Sequence, residues 1–228
     1  MIKTILFDVD GVLVTGEPWS KSLAQTHGIT QEMLTPFFRG PFLACLVGKA
    51  DLKEELVPYL TKWGWSQSPT AFLDYWFHQE SLINEQLIQV VQHLRQGGIK
   101  CYIATQQERY RTEYLLHAMG FEHLFDGMFS SVNTGYMKNE QAFFETILNE
   151  LAGISADEVL FWDDTLKNVE TAQHVGMQAE VYHDFADFVC QMQKYRNPSD
   201  RGKDSGDRVF LMNTNEVFRE TMRDPGHV

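Results

Sequence analysis

The sequence predicts an α/β protein: a doubly wound parallel sheet whose first strand is followed by an inserted all-helical segment. Two observations carry the sheet. Short apolar runs rich in aromatic and β-branched residues end in polar ones, and helical stretches closed by glycine lie between them. A third observation carries the insertion. From Val14 to about Gln86 the strand signal disappears and helical apolar spacing takes over.

Taken in order, Ile5-Leu6-Phe7 is the first strand and leads to Asp8. Within the insertion, Leu52, Leu56, Tyr59 and Leu60 share one helical face, and Phe72, Tyr75, Trp76 and Gln79 share another. Pro36, Pro41, Pro58 and Pro69 punctuate it, and Trp63, Trp65, Trp76 and Phe77 are expected to form its own core. Leu87 to Gln96 is helical and stops at Gly97-Gly98; Cys101-Tyr102-Ile103-Ala104 is the next strand and leads to Thr105. Helices follow over Glu108 to Met119, closed by Gly120, and over Glu140 to Leu151, ahead of Gly153. The apolar Met128-Phe129 lies between them. Val159-Leu160-Phe161-Trp162 leads to Asp163 and Asp164, and Asn168 to Val175 is a helix before Gly176. The division is then a core of residues 1–13 and 87–195, a helical cap of residues 14–86 and a polar tail of residues 196–228. In the tail, Asn197 to Asp207 lacks any aliphatic or aromatic residue and reads as a linker, ahead of a short strand (Val209 to Met212) and a short helix (Glu216 to Arg223).

Composition narrows the partners. The 228 residues carry 19 basic and 31 acidic side chains, a formal net charge of −12, which argues against nucleic acid and against an anionic membrane surface. Cys45, Cys101 and Cys190 are far apart with no Cys-x-x-Cys pair, so neither a disulfide framework nor a structural zinc site is expected. Cys101 and Cys190 sit among apolar residues and are expected to be buried, inert thiols. The apolar start before Asp8 is too short for a signal-peptide core. The longest apolar stretch, Phe42 to Val47, falls well short of the ~20 residues of a membrane helix. A cytoplasmic protein is expected.

In an open parallel sheet, ligands bind beyond the carboxyl ends of the strands. Asp8, Thr105 and the Asp163-Asp164 pair follow three such ends, and Lys138 follows Met128-Phe129 and opens a helix. Crowded carboxylates repel, and a bound cation offsets that cost. An all-oxygen donor set without histidine or cysteine suits a hard ion, Mg²⁺ above all. Beside such an ion, a carboxylate facing phosphorus is a nucleophile. A second acid two residues on, displaced by the turn Gly11 permits, protonates the leaving oxygen and later activates water. A hydroxyl and an ammonium hold the phosphoryl oxygens. Asp8, Asp10, Thr105 and Lys138 fill those places. Each also has a plain structural alternative: a solvated turn for Asp8 and Asp10, helix caps for Asp163 and Thr105, a surface lysine for Lys138. Arg109 and Arg111 read as a solvated helix face.

Taken together, these motifs resemble those of the haloacid dehalogenase-like (HAD) phosphohydrolases. Phe7-Asp8-Val9-Asp10-Gly11-Val12-Leu13 resembles the first motif, Ile103-Ala104-Thr105-Gln106 the second and Gly135-Tyr136-Met137-Lys138 the third. Phe161-Trp162-Asp163-Asp164, followed by Asn168-Val169 and Ala172, resembles the fourth, and the likeness runs from residue 2 to about 184. It implies a Rossmann-like core with a squiggle and flap after the first strand, and a helical cap of the C1 type. It also implies that Asp8 is the nucleophile, Asp10 the acid/base, and Asp164 the main second metal carboxylate, supported by Asp163. The metal would also take the backbone carbonyl of Asp10. Two positions depart from the family pattern. Gln106 stands where Asn is usual and keeps a side-chain amide; Asn139 stands where Pro is usual and is expected to cap the following helix.

The expected activity is Mg²⁺-dependent hydrolysis of a small phosphorylated metabolite through an aspartyl-phosphate on Asp8. Thr105, Gln106 and Lys138 would bind the phosphate. From the cap, Phe37-Phe38-Arg39-Gly40-Pro41 would bring Arg39 over the substrate and Lys49 would meet a second anionic group, although Phe37 and Phe38 are expected to pack inside the cap. Two readings stand beside this one: a phosphomutase of the same fold, and a phosphometabolite-binding protein without catalysis. Asp10 argues against dehalogenase and phosphonatase chemistry, both of which lack that acid.

Overall fold

The computed structural model describes residues 1–195; the expected linker, strand and helix of the tail lie outside them. The chain begins with β1 (Thr4–Phe7), then makes a tight loop into the two-residue strand β2 (Val14–Thr15). Five helices follow: α1 (Trp19–His27), α2 (Gln31–Phe38), α3 (Phe42–Leu46), α4 (Leu52–Trp63) and α5 (Pro69–Gln79). The chain returns through β3 (Leu82–Ile83), which pairs antiparallel with β2. Strand and helix then alternate: α6 (Glu85–Gln96), β4 (Lys100–Thr105), α7 (Arg109–Glu113), α8 (Phe121–Leu124), β5 (Gly127–Ser130) and α9 (Ser131–Thr134). The series ends with α10 (Gln141–Glu150), β6 (Val159–Asp163), α11 (Leu166–His174), β7 (Gln178–Val181) and α12 (Phe185–Met192).

The sheet is parallel throughout, in the order β5-β4-β1-β6-β7. Apolar residues run unbroken from Ile5 to Phe7 in β1 and from Val159 to Trp162 in β6 because both sheet faces are covered. Ile5, Phe7, Ile103 and Trp162 pack on one face with α6 and α12. Leu6, Ala104, Val159 and Phe161 pack on the other with α10 and α11. Register then fixes the functional edge. Phe7 pairs with both Ile103 and Trp162, so the chain leaves β1 at Asp8 level with the ends of β4 and β6.

The insertion has a core of its own. Trp63, Trp65, Trp76, Phe77 and Phe37 are buried in one cluster with Leu52, Leu56 and Leu60, and Phe38 packs against it. Asp51 caps α4 through Oδ1, which accepts from the amides of Lys53 and Glu54. Its Oδ2 accepts from Arg109 Nη2 at 2.5 Å and from Tyr110 OH at 2.8 Å, fastening the insertion to α7.

Several expectations are corrected. Pro41 and Pro69 stand at helix starts, but Pro36 and Pro58 lie inside α2 and α4. Both are exposed, so the carbonyl each one frees can face solvent while the buried face holds the helix. The helix expected over Glu108 to Met119 is α7 followed by a π-helical turn, Tyr114–Ala118. Cys190 is exposed, because Phe185, Phe188 and Met192 form the inward face of α12. Among the described residues, no helix is long and apolar enough to cross a membrane.

Candidate active site

Three carboxylates meet at the carboxyl edge of the sheet. Oxygen atoms of Asp8, Asp163 and Asp164 lie within 4.8 Å of one another. Asp8 follows β1, and its backbone amide donates to Trp162 of β6 at 2.9 Å, which locks it beside the neighbouring strand end. Asp163 is fully buried and richly bonded. Its oxygens accept from Lys138 Nζ at 2.7 Å, from the Thr165 amide at 2.8 Å and from Asn168 Nδ2 at 3.1 and 3.2 Å. Thr165, not Asp163, is the N-cap residue of α11.

Lys138 is buried and reaches two of the acids, with Nζ 2.6 Å from Asp8 Oδ2 and 2.7 Å from Asp163 Oδ2. The surface-lysine reading is thereby excluded. Lys138 sits in a turn ahead of α10 rather than opening it, and Glu140, not Asn139, occupies the N-cap position. One ammonium does not balance three carboxylates. Burial pushes Asp8 up to about 8 against the pull of Lys138, and the charges of Asp163 and Asp10 act in the same direction. Burial also raises Asp164, only partly offset by a hydrogen bond from Thr165. Burial lowers the Lys138 ammonium, but Asp8 and Asp163 outweigh it and hold it above the ordinary lysine range. An all-carboxylate cluster with excess negative charge fits a hard cation.

Thr105 is fully buried at the end of β4, and among the described residues its hydroxyl has no hydrogen-bond partner. Glu108 caps α7 instead, accepting from the amides of Tyr110 and Arg111. Ser130, paired with Thr105 in register, has a second orphaned hydroxyl. Unpaired buried hydroxyls carry a desolvation cost of ~1–3 kcal/mol that an added acceptor removes. Gln106, Asn139 and Lys167 join Asp8, Asp10 and Asp164 in lining an open cleft of about 450 Å³ with only polar residues around it. Arg39 is not among the residues lining this cleft. It is exposed at the end of α2, because Phe37 and Phe38 pack inward and turn the chain out into solvent. Lys49 lines a separate groove with Asp51 and Arg109.

Asp10, expected as the acid/base with only its backbone carbonyl toward the metal, stands apart from the cluster. Its carboxylate lies outside the Asp8–Asp163–Asp164 group and accepts from Gln107 Nε2 at 2.5 Å. Arg111, expected on a solvated face, is 1% exposed; its guanidinium donates to the carbonyls of Phe77 and Glu80 where the insertion returns to the core. Burial raises the Glu80 carboxyl to about 7, and the Asp10 charge adds to the effect against a hydrogen bond from Trp76 and the charge of Arg111. Folding therefore holds the Glu80 proton more tightly than the unfolded chain does. Ionisation costs stability as pH rises from about 4.5 through about 7. Glu80→Gln keeps an acceptor for Trp76. Its stability relative to wild type is expected to grow by about 1–2 kcal/mol across that interval, as read by urea denaturation at several pH values.

Fold and cleft together define an α/β protein with an acidic, cation-suited centre where the strand order of its sheet reverses. The model of the haloacid dehalogenase-like hydrolase family matches residues 2–176, and the chain belongs to that family. It is 34% identical over 93 residues to a sesquiterpene phosphatase from Aspergillus oryzae, covering 40% of this chain and 46% of that protein. It is 28% identical over 116 residues to a drimenol cyclase from Aspergillus calidoustus, covering 50% of this chain and 22% of that protein. The chain thus spans less than half the length of these curated relatives. Its fold is shared with a HAD-family enzyme from Bacteroides thetaiotaomicron solved with magnesium and inorganic phosphate. The TM-score is 0.68 at 20% identity, over 82% of this chain and 99% of that one.

Proposed function

We propose that this hydrolase is a Mg²⁺-dependent phosphatase that releases phosphate from a small phosphorylated metabolite through an aspartyl-phosphate on Asp8. The observation that carries the reading is the buried Asp8–Lys138–Asp163 bridge, with Asp164 beside it, on a cleft lined only by polar residues. Asp8 and Asp164 would hold the ion together with the backbone carbonyl of Asp10, and Asp163 would support them. Magnesium would neutralise the carboxylates and the charge growing on the phosphoryl oxygens.

The protein's own groups do the rest. Lys138 engages Asp8 Oδ2, so Oδ1 is the oxygen left to attack phosphorus. As the ester P–O bond breaks, its electron pair goes to the alcohol oxygen, which takes a proton from Asp10. Asp10, now a carboxylate, takes a proton from the water whose oxygen then displaces phosphate from Asp8. The Thr105 hydroxyl, the Gln106 amide and the Lys138 ammonium would hold the phosphoryl oxygens. Assay of a panel of phosphorylated metabolites should give phosphate release with Mg²⁺ and none with chelator; metal-independent release would contradict the reading. The likeness to a sesquiterpene phosphatase favours adding a terpenyl phosphate to that panel.

Gly11 supplies a sharper check. It has φ +78°, and a Cβ there would lie 2.3 Å from Asp164 Oδ2. Gly11→Ala should cost about 1–2 kcal/mol in thermal or urea unfolding through the backbone alone. It should also turn Asp164 aside, weakening the apparent affinity for Mg²⁺ about 10-fold or more.

A further inference from the structure

The four site aspartates are not equivalent in orientation. Asp8, Asp163 and Asp164 converge, whereas Asp10 turns toward Gln107, 97 residues away in sequence. Among the described residues, Gln107 is the side chain that hydrogen-bonds Asp10. Its own placement is tightly determined. The residue is 6% exposed, and its backbone carbonyl accepts from the Val132 amide at 3.3 Å and from Ser131 Oγ at 3.2 Å. The side chain therefore projects from a peptide tied to the segment that follows β5.

The chemistry of the contact is directional. An amide NH₂ only donates, so Asp10 Oδ2, which receives it, serves there as an acceptor. The other oxygen, Oδ1, is left to carry a proton. Asp10 itself lines the cleft and is exposed to it. We propose that Gln107 is a positioning residue for Asp10, fixing the rotation of its carboxylate so that Oδ1 faces the leaving oxygen. This role rests on the phosphatase reading above. In the first step the ester oxygen keeps the electron pair of the broken P–O bond and takes the Oδ1 proton. In the second, the same oxygen accepts a proton from the attacking water. Without the amide, the carboxylate rotates freely and the proton is delivered from a scattered set of positions.

Leaving-group dependence tests this role. The measured quantity is kcat/KM with Mg²⁺ for benzyl phosphate, whose alkoxide needs a proton as it departs, and for para-nitrophenyl phosphate, whose phenolate does not. This ratio reports transfer to Asp8 and is free of the later hydrolysis step. Gln107→Met keeps length and burial without the donor; Gln107→Asn keeps an amide withdrawn by one methylene. Both should lose roughly 10- to 100-fold on benzyl phosphate and less than about 3-fold on para-nitrophenyl phosphate. Melting curves identify a variant that does not fold, in which case the other variant decides. Equal losses on both esters, or no loss on either, would overturn the role of Gln107 and leave the phosphatase reading intact. Absence of release from either ester by the wild-type protein would remove that reading and this role with it.

Discussion

Asp8→Asn is expected to reduce phosphate release by on the order of 10⁴-fold or more, the largest effect of any single substitution in the cleft. The change is nearly isosteric, so the loss should be chemical rather than structural. The introduced amide would still offer its oxygen to Lys138, which bridges positions 8 and 163 at 2.6 and 2.7 Å. The substitution would also remove a carboxylate whose charge burial and the neighbouring acids penalise. The melting temperature without metal should therefore hold or rise. With Mg²⁺ present the order should invert, because a protein that binds the ion more tightly gains more stability from it. Phosphate release at the wild-type rate would remove Asp8 as nucleophile, and unchanged stabilisation by Mg²⁺ would remove it as a ligand.

Lys138→Met should produce the second large effect, on stability as well as rate. Lys138 is almost wholly buried between Asp8 and Asp163, and its loss leaves two carboxylates facing each other without a counter-charge. Breaking a buried ion pair from one side costs about 3–5 kcal/mol. Protonation of Asp8, already pushed up to about 8, keeps the cost near the low end, at about 3 kcal/mol. Urea denaturation in chelator measures it. Added Mg²⁺ should narrow the gap to wild type, since a cation there restores part of the lost charge balance. A variant as stable as wild type in chelator would show that the ammonium does not compensate these acids.

The strands at the centre of the sheet are legible in the sequence because two-sided burial leaves no polar alternation in them. Thr4–Phe7 and Val159–Asp163 are continuous buried runs, and each delivers an acid at its end. The edge strand β7, Gln178–Val181, carries two polar residues and escapes notice, since one of its sides is unpaired. β2 and β3 are two residues each, too short for any period to register. At the site, Asp8, Thr105, Lys138, Asp163 and Asp164 are legible because each follows a strand or glycine at a fixed offset. Gln107 is not, because its contact with Asp10 joins distant segments that only the sheet brings together. Arg111 misleads for a different reason. Arginine is seldom fully buried, yet here two backbone carbonyls at the end of α5 and its return satisfy it.

Asp51 divides its labour between its two oxygens: one holds the first turn of α4, and the other holds α7 through Arg109 and Tyr110. The fastening between insertion and core can therefore come undone without fraying the helix that carries it. A carboxylate serving both tasks through the same atom would make every separation a partial unfolding. With the tasks split, losing the surface ion pair and the phenol contact leaves α4 capped, while the buried Arg111, bonded to the carbonyls of Phe77 and Glu80, and Tyr114 against Phe77 still tie the five helices to the core.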